Sequence, residues 1–120
     1  MEKLGATWRI FGIYLLVLLF ILISGSASSQ IQVAVFNADW NATNKVEWAY
    51  KLNDVETYSY IDISKDTELQ KKHKIAVIPT IIIFKDDVEV ARFQADLSFK
   101  MVATREEVQE EIDNQLMSDF

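Results

Sequence analysis

One short run, Trp40-Asn41-Ala42-Thr43-Asn44-Lys45, brings a hydroxyl, two amides and an amine close together in the sequence. Thr43 carries a hydroxyl two residues from the Lys45 amine. A hydroxyl nucleophile needs an adjacent base, and the sequence places no base beside Thr43. Asn41-Ala42-Thr43 is also an N-glycosylation sequon, while Asn41 alone suits a helix N-cap. The run therefore identifies no catalytic residue.

Residue counts exclude several kinds of site. The 120 residues include no cysteine, one histidine (His73) and one proline (Pro79). Without cysteine the chain has no disulfide, thiol nucleophile or zinc–thiolate site. A single histidine argues against a histidine metal cage or a Ser-His-Asp triad. We expect no metal or cofactor, and we expect His73, between two lysines, to be a solvated surface residue.

The first 27 residues have the pattern of an export signal. Lys3 and Arg9 precede an uncharged apolar run over residues 10–23, and small residues follow over 24–29. Gly25 and Ala27 suit the positions before a cleavage site, so we predict cleavage after Ala27 and a periplasmic or secreted domain over 28–120. The alternative is an uncleaved membrane anchor, although 14 helical residues span only about 21 Å.

Length and charge limit the classes of partner. One hundred and twenty residues correspond to one domain, and the net charge of −6 becomes −7 when residues 1–27 are removed. An acidic surface argues against nucleic acid and anionic membrane as partners. Membrane contact is expected only through residues 10–23 if they are retained.

Strand and helix patterns alternate after residue 30. Strands are predicted at 31–37, 58–63, 80–84 and 88–94. Helices are predicted over 43–52, through Lys72 after a cap by Ser64, and after a capping box at Thr104–Glu107. A helical crossover makes the first two strands parallel. The turn at Asp86-Asp87 makes the last two antiparallel, because Asp tolerates positive φ. The predicted fold class is α/β, with a mixed sheet.

Apolar spacing marks the side of each helix that should face the sheet. The predicted inward residues are Val46, Ala49 and Tyr50 in the first helix, Leu69 in the second, and Val108, Ile112 and Leu116 (with Met117 and Phe120 nearby) in the last.

Pro79 interrupts the apolar run 75–84, which otherwise resembles a central strand. Proline cannot donate a ladder hydrogen bond. It therefore marks either a strand boundary or a cis-proline that turns the chain at a ligand-facing surface.

Three stretches, in order, resemble the thioredoxin family. Residues 38–45 (ADWNATNK) are similar to its active-site run AEWCGPCK, residues 60–80 resemble its stretch ending in Ile-Pro-Thr, and residues 81–87 (IIIFKDD) resemble its LLLFKNG. The resemblance covers about residues 31–116. It implies a thioredoxin-like mixed β-sheet with helices on both faces, and a cis peptide bond before Pro79.

The departures from that family concern its redox groups. Asn41 and Asn44 stand where the family has its two cysteines, Val35 where it has a buried aspartate, and Tyr60 where it has a lysine. Thiol–disulfide exchange requires a thiolate, and an amide cannot ionise or form a mixed disulfide. The resemblance therefore implies a redox-inactive domain, with a shortened helix before Pro79.

The resemblance also implies a peptide groove. Its residues here are Trp40, Ile78, Pro79, Thr80, Ala95 and Asp96. The backbone of Ile78 could pair with an extended peptide, and Trp40 would be either an aromatic anchor or a partly buried side chain stacked under the helix.

Leu97, Phe99 and Met101 alternate just beyond Asp96. They either cover the end of the sheet, which is the simpler interpretation, or extend the groove with an apolar lip.

The favoured function is an exported, redox-inactive thioredoxin-like module that binds an unidentified protein or peptide as a scaffold, holdase or accessory subunit. The alternatives are an enzyme of non-thiol chemistry that uses Thr43, and a membrane-tethered structural domain.

Overall fold

A computed structural model describes residues 30–118 and places four strands in one mixed sheet. β1 (Ile31–Asn37), β2 (Thr57–Asp62), β3 (Thr80–Lys85) and β4 (Val88–Gln94) follow the order β2-β1-β3-β4. β1 and β2 are parallel, whereas β3 is antiparallel to both β1 and β4. These pairings confirm the predicted strand directions. The predictions for residues 1–27 and for Phe120 lie outside the described residues.

Within residues 30–118, three short helices lie between strands and one longer helix follows the last strand. Two 3-10 helices, Asp39–Asn44 and Glu47–Lys51, lie between β1 and β2. The helix α1 (Thr67–Lys72) precedes β3, and α2 (Arg105–Met117) follows β4. Within residues 30–118, none of the helices is long and apolar enough to cross a membrane.

The prediction of one continuous helix over 43–52 is wrong, because two 3-10 helices occupy this segment. The Asn37 amide donates to the Asn41 carbonyl at 3.3 Å, and this is the carbonyl to which Lys45 would donate in an α-helix. The Lys45 N–H instead bonds to the Ala42 carbonyl at 3.1 Å. Lys45 then adopts φ −59°, ψ 136°, which separates the two 3-10 helices.

One face of the sheet packs against the second 3-10 helix and α2. Val46, Ala49 and Leu52 are spaced by three residues and all are buried there, because residues i and i+3 of a 3-10 helix lie on the same side. Tyr50 falls outside this spacing and is 39% exposed, so its predicted place in the core is wrong.

The predicted apolar stripe of α2 is confirmed. Val108 and Ile112 are fully buried against the same face of the sheet, and Leu116 is partly buried there. Met117, one residue further along, is exposed.

The other face of the sheet packs against α1 and the segment after it. Ala34 and Phe36 of β1 join Ile75, Ile78 and Ile82 in a second buried cluster. Leu69 of α1 packs against this cluster, as predicted. β1 is thus covered on both sides by helices, which is the predicted fold class.

His73 lies over this second face, not in solvent as predicted. Its ring is half-buried, 5.5 Å from the Phe36 ring and 5.6 Å from the Phe84 ring between centroids. The sequence prediction considered only its lysine neighbours, whereas the C-terminus of α1 carries it onto two aromatic rings.

Two of the predicted polar turns and caps are confirmed. Asp86 and Asp87 have φ values of 52° and 68°, as the tight turn requires. Thr104 Oγ1 accepts the Glu107 N–H at 3.2 Å. The first turn of α1, however, is capped by Asp66, which accepts the Leu69 N–H at 3.1 Å, and not by Ser64.

Arg92 fastens the turn after α1 to β4. Its guanidinium donates to the His73 carbonyl at 2.6 Å and to the Lys74 carbonyl at 3.1 Å, and it pairs with Glu89 at 2.8 Å. Charged donors form stronger hydrogen bonds than neutral ones, so this side chain sets where the chain approaches Pro79.

We expect Arg92→Ala to lower the free energy of unfolding by about 1–3 kcal/mol, because two carbonyl bonds and one ion pair are lost. Glu89→Ala removes only the ion pair and should lower it by no more than about 1 kcal/mol. Urea unfolding of both variants measures the difference. Equal losses would contradict a role for the carbonyl bonds.

Candidate functional site

The candidate site lies where β1 ends. The first 3-10 helix leaves β1 at this point and contacts the loop after β4 through the bond from Asn41 Nδ2 to the Phe99 carbonyl, 3.1 Å. That loop contacts the segment before β3, since the Ala95 N–H donates to the Pro79 carbonyl at 3.0 Å. The peptide bond between Ile78 and Pro79 is cis. The fold thus brings residues 40–45, 78–80 and 95–101 into one region.

Three asparagines form a connected amide network here. Asn41 Nδ2 donates to Asn37 Oδ1 at 3.0 Å as well as to Phe99, and Asn41 Oδ1 accepts from Asn44 Nδ2 at 2.9 Å. Asn37 and Asn41 are both buried. Buried polar groups are stable only when hydrogen-bonded, and the two side chains largely satisfy each other. Asn37 was not among the predicted site residues; a polar residue ending a buried strand was its only signal.

Two predicted roles of Asn41 depend on where its side chain lies. The prediction that Asn41 caps the helix is wrong, because Ala38 occupies the N-cap position and Asn41 lies inside the 3-10 helix. The sequon nitrogen, Nδ2, makes two hydrogen bonds in a residue that is only 4% exposed. In the folded chain this nitrogen is therefore buried and hydrogen-bonded.

Trp40 points into solvent beside this network. It is 64% exposed, and its ring meets the Phe99 ring edge-on with centroids 5.1 Å apart. The interpretation that Trp40 is stacked under the helix is therefore wrong. Leu97 is 92% exposed on the same loop. Together Trp40, Leu97 and Phe99 make up an exposed apolar surface, called the Trp40 surface below.

Leu97, Phe99 and Met101 were predicted to share one role, either covering the end of the sheet or extending the groove. They do not share a role. Met101 packs against the sheet face that α2 covers and bridges Ala95, whereas Leu97 is 92% exposed. Asp96 is the reason, because its carboxylate accepts the Ser98 N–H at 2.8 Å and the Lys100 N–H at 3.3 Å. The resulting tight turn breaks the strand alternation on which the prediction relied.

Ile78, Pro79 and Thr80 lie beneath the surface. All three are buried, and Thr80 Oγ1 donates to the Val77 carbonyl at 2.6 Å. Ala95 is half-buried and Asp96 exposed. Of the six predicted groove residues, Trp40 and Asp96 therefore have exposed side chains.

Thr43 and Lys45 do not form a nucleophile–base pair. Thr43 is exposed, and within residues 30–118 its hydroxyl has no hydrogen-bond partner. The Lys45 ammonium lies 5.4 Å from the Tyr50 ring centroid and 5.2 Å from that of Tyr60, a cation–π contact. Burial raises the pKa of Tyr60, and Asp62 and Asp39 add to the effect, so this phenol stays neutral.

An ionic cluster lies beside Trp40 that sequence reasoning missed. Lys65 Nζ is 3.0 Å from Asp39 Oδ2 and 3.9 Å from Asp62 Oδ2. Asp62 Oδ1 accepts the Ser64 hydroxyl, and the Ser64 N–H at 2.9 Å. Asp62 Oδ2 is buried without a hydrogen bond, so the Lys65 charge is what compensates it. No group of three or more acidic or histidine side chains within residues 30–118 is placed to hold a metal ion.

Solved structures of thioredoxins have a similar fold. A point-mutant thioredoxin of Halobacterium salinarum matches with a TM-score of 0.58 and 17% identity, over 72% of this chain and 75% of its own. Thioredoxin 1 of Thermosipho africanus matches at 0.56 and 19% identity, over 73% and 97%. Thioredoxin-2 of a malaria parasite, described as a component of its protein secretion machinery, matches at 0.54 and 18%, over 74% and 86%.

The chain therefore has the thioredoxin-like fold, without any cysteine. No family model matches the sequence, and no curated protein does.

Asn41→Ala should lower the free energy of unfolding by about 1–3 kcal/mol, since Asn37 Oδ1 and the Phe99 carbonyl lose their donor inside the protein. Asn44→Ala removes one half-buried bond and should lower it by about 1 kcal/mol or less. Chemical denaturation compares the two. If Asn44→Ala lowers the free energy of unfolding more than Asn41→Ala does, Asn41 is not the centre of the network.

Acid should weaken the fold through Asp62. The Ser64 hydroxyl lowers the pKa of Asp62 most; burial opposes this, and the Ser64 N–H and the Lys65 charge support it. A carboxyl whose pKa is lowered by folding stabilises the protein above its ordinary pKa of about 3.9, and that stability is lost as pH falls through the lowered value.

Asp62→Asn should therefore flatten the fall in melting temperature below about pH 4, and Ser64→Ala should flatten it partly. Asp96, whose pKa the Ser98 hydroxyl lowers, leaves a residual slope in both variants. An unchanged slope in Asp62→Asn would refute this assignment.

Proposed function

We propose that this chain is an exported, redox-inactive thioredoxin-like module that binds a protein or peptide. The observation that carries the proposal is the Trp40 surface. Three large apolar side chains are exposed together at the end of the sheet, and two of them contact each other. Aromatic residues exposed in a patch are typical of binding surfaces, and tryptophan is among the commonest anchors.

The rigidity of this surface supports binding. Asn41 follows Trp40 directly and holds the Phe99 backbone through its amide. Asp39, which precedes Trp40, is tied to Lys65 at 3.0 Å. The backbone on either side of the two rings is thus tied to its surroundings, and preorganisation reduces the entropy lost on binding.

The predicted groove residues fit this surface in two layers. Trp40 and Asp96 supply exposed side chains, and Ala95 lies half-buried between them and the buried segment Ile78-Pro79-Thr80. An extended peptide would cross Trp40 and lie against this loop. The function is one of contact, because asparagine at positions 41 and 44 leaves no thiolate for electron transfer.

Export rests on the pattern of residues 1–27, a basic start, an apolar run and small residues before the predicted cleavage site. Cleavage after Ala27 would release the domain into the periplasm or the medium, where it would act as a scaffold, holdase or accessory subunit.

Trp40→Ala should reduce partner capture from the exported fraction at least tenfold, because an anchor residue contributes about 2 kcal/mol or more to binding. Its melting temperature should stay near that of the parent, since the side chain is mostly in solvent. Val88→Ala is the matched control, because Val88 is also 64% exposed but lies on the edge strand β4. Tagged full-length chains and quantitative mass spectrometry measure capture.

Two results would contradict the proposal. The first is a Trp40→Ala chain that unfolds, with capture following only the folded fraction. The second is reduction of insulin disulfides by the purified chain at a rate comparable to that of a thioredoxin.

A further inference from the structure

A cavity of about 510 Å³ opens on the face of the sheet that α1 covers. α1 has only six residues, and Thr57 and Ser59 of β2 remain exposed beside the cavity, on the same face as Ala34. Cavities of about 300–1,000 Å³ are typical of sites for small organic ligands. The described residues that line this cavity include none of the Trp40 surface, so it is a separate candidate site.

One wall of the cavity is apolar. Phe36 is fully buried there, whereas Ile61 and Phe84 are half-buried. The His73 ring lies against both phenylalanine rings and lines the same wall. Apolar and aromatic surface gains free energy when it is removed from water. A ligand with a flat apolar body would therefore be stabilised against this wall.

Polar side chains line another part of the cavity and have no partners. The Gln32 amide and the Thr57 and Ser59 hydroxyls make no hydrogen bond within residues 30–118. Each of these groups can both donate a hydrogen bond to a ligand and accept one from it. A few polar groups beside an apolar wall are typical of a small-molecule site, because they fix the orientation of the ligand.

The charge at the cavity indicates the sign of the ligand. The chain is acidic, with a net charge of −6, but residues 71–74 read Lys-Lys-His-Lys. Of these four residues, Lys72 and His73 line the cavity. The Lys72 ammonium has no hydrogen-bond or ion-pair partner in the part of the chain that the structure describes. An unpaired ammonium forms its strongest hydrogen bonds with an anionic group, so the ligand should carry one.

Asp87 limits how much negative charge the ligand can carry. It lines the same cavity from the turn between β3 and β4, where a second anionic group would meet a like charge. We propose that this cavity binds an amphipathic organic anion, with one sulfonate or carboxylate group beside Lys72 and a flat apolar body against Phe84. Thr57 and Ser59 would form hydrogen bonds with its polar atoms.

The fluorescent probe anilinonaphthalene sulfonate has this chemistry, because it joins a flat aromatic body to one sulfonate. Titration of the folded full-length chain with the probe should give a saturable rise in fluorescence. Lys72→Gln should weaken binding about fivefold, since an exposed ion pair contributes modestly. Lys71→Gln is the matched control, because Lys71 lies on the same helix but does not line the cavity. This control should bind the probe as the parent chain does.

Two further variants locate the bound probe. Ser59→Phe places a ring in the cavity and should abolish saturable binding, while its melting temperature should stay near that of the parent because Ser59 is exposed. Trp40→Ala removes the largest exposed ring of the Trp40 surface, which could also attract an aromatic probe. This variant should bind the probe as the parent does, because Trp40 does not line the cavity.

A matched pair of ligands tests the role of Asp87. Naphthalene monosulfonate should displace the probe at a lower concentration than naphthalene disulfonate, which has the same rings and a second negative charge. Stronger displacement by the disulfonate would indicate a polyanion site at residues 71–74 and would overturn the proposal. So would the absence of saturable binding, equal weakening in Lys71→Gln and Lys72→Gln, or loss of binding in Trp40→Ala.

Discussion

The arrangement at the end of β1 depends on one buried amide, that of Asn41. Its two side-chain polar atoms make three hydrogen bonds, to Asn37, Asn44 and the Phe99 carbonyl. Buried amides are stable only when paired, so these contacts fix one geometry. Through them the 3-10 helix that carries Trp40 and the loop that carries Phe99 become a single unit.

The sheet gives this unit a fixed base. β1 is buried on both faces, so its last residue, Asn37, cannot move without disturbing two packed layers. Asn37 in turn binds Asn41 through both its side-chain oxygen and its nitrogen. The burial that stabilises β1 therefore also determines where the exposed aromatic pair lies.

A protein that carries out thiol–disulfide exchange would need a reactive, ionisable thiol at positions 41 and 44. Here neutral amides occupy both positions, and the charged groups lie outside the amide network, with Asp39, Lys65 and Asp62 on one side and Asp96 on the other. A neutral, hydrogen-bonded centre keeps its structure at any pH at which the surrounding carboxylates remain ionised. Such an arrangement suits a surface that acts by contact.

Sequence alone determined the features that depend on neighbours along the chain. The four strands, the Asp86-Asp87 turn, the Thr104 cap and the apolar stripe of α2 follow from periodicity and local backbone preference, and the absence of a thiol needs no structure at all. Tertiary contacts decided the rest. Asn37 bonds to the Asn41 carbonyl where the chain forms two 3-10 helices instead of one helix, Phe36 and Phe84 enclose His73, and Lys65 joins Asp39 to Asp62. Each of these outcomes depends on a partner brought near by folding, in most cases from another element of the chain, and local pattern cannot report such a partner.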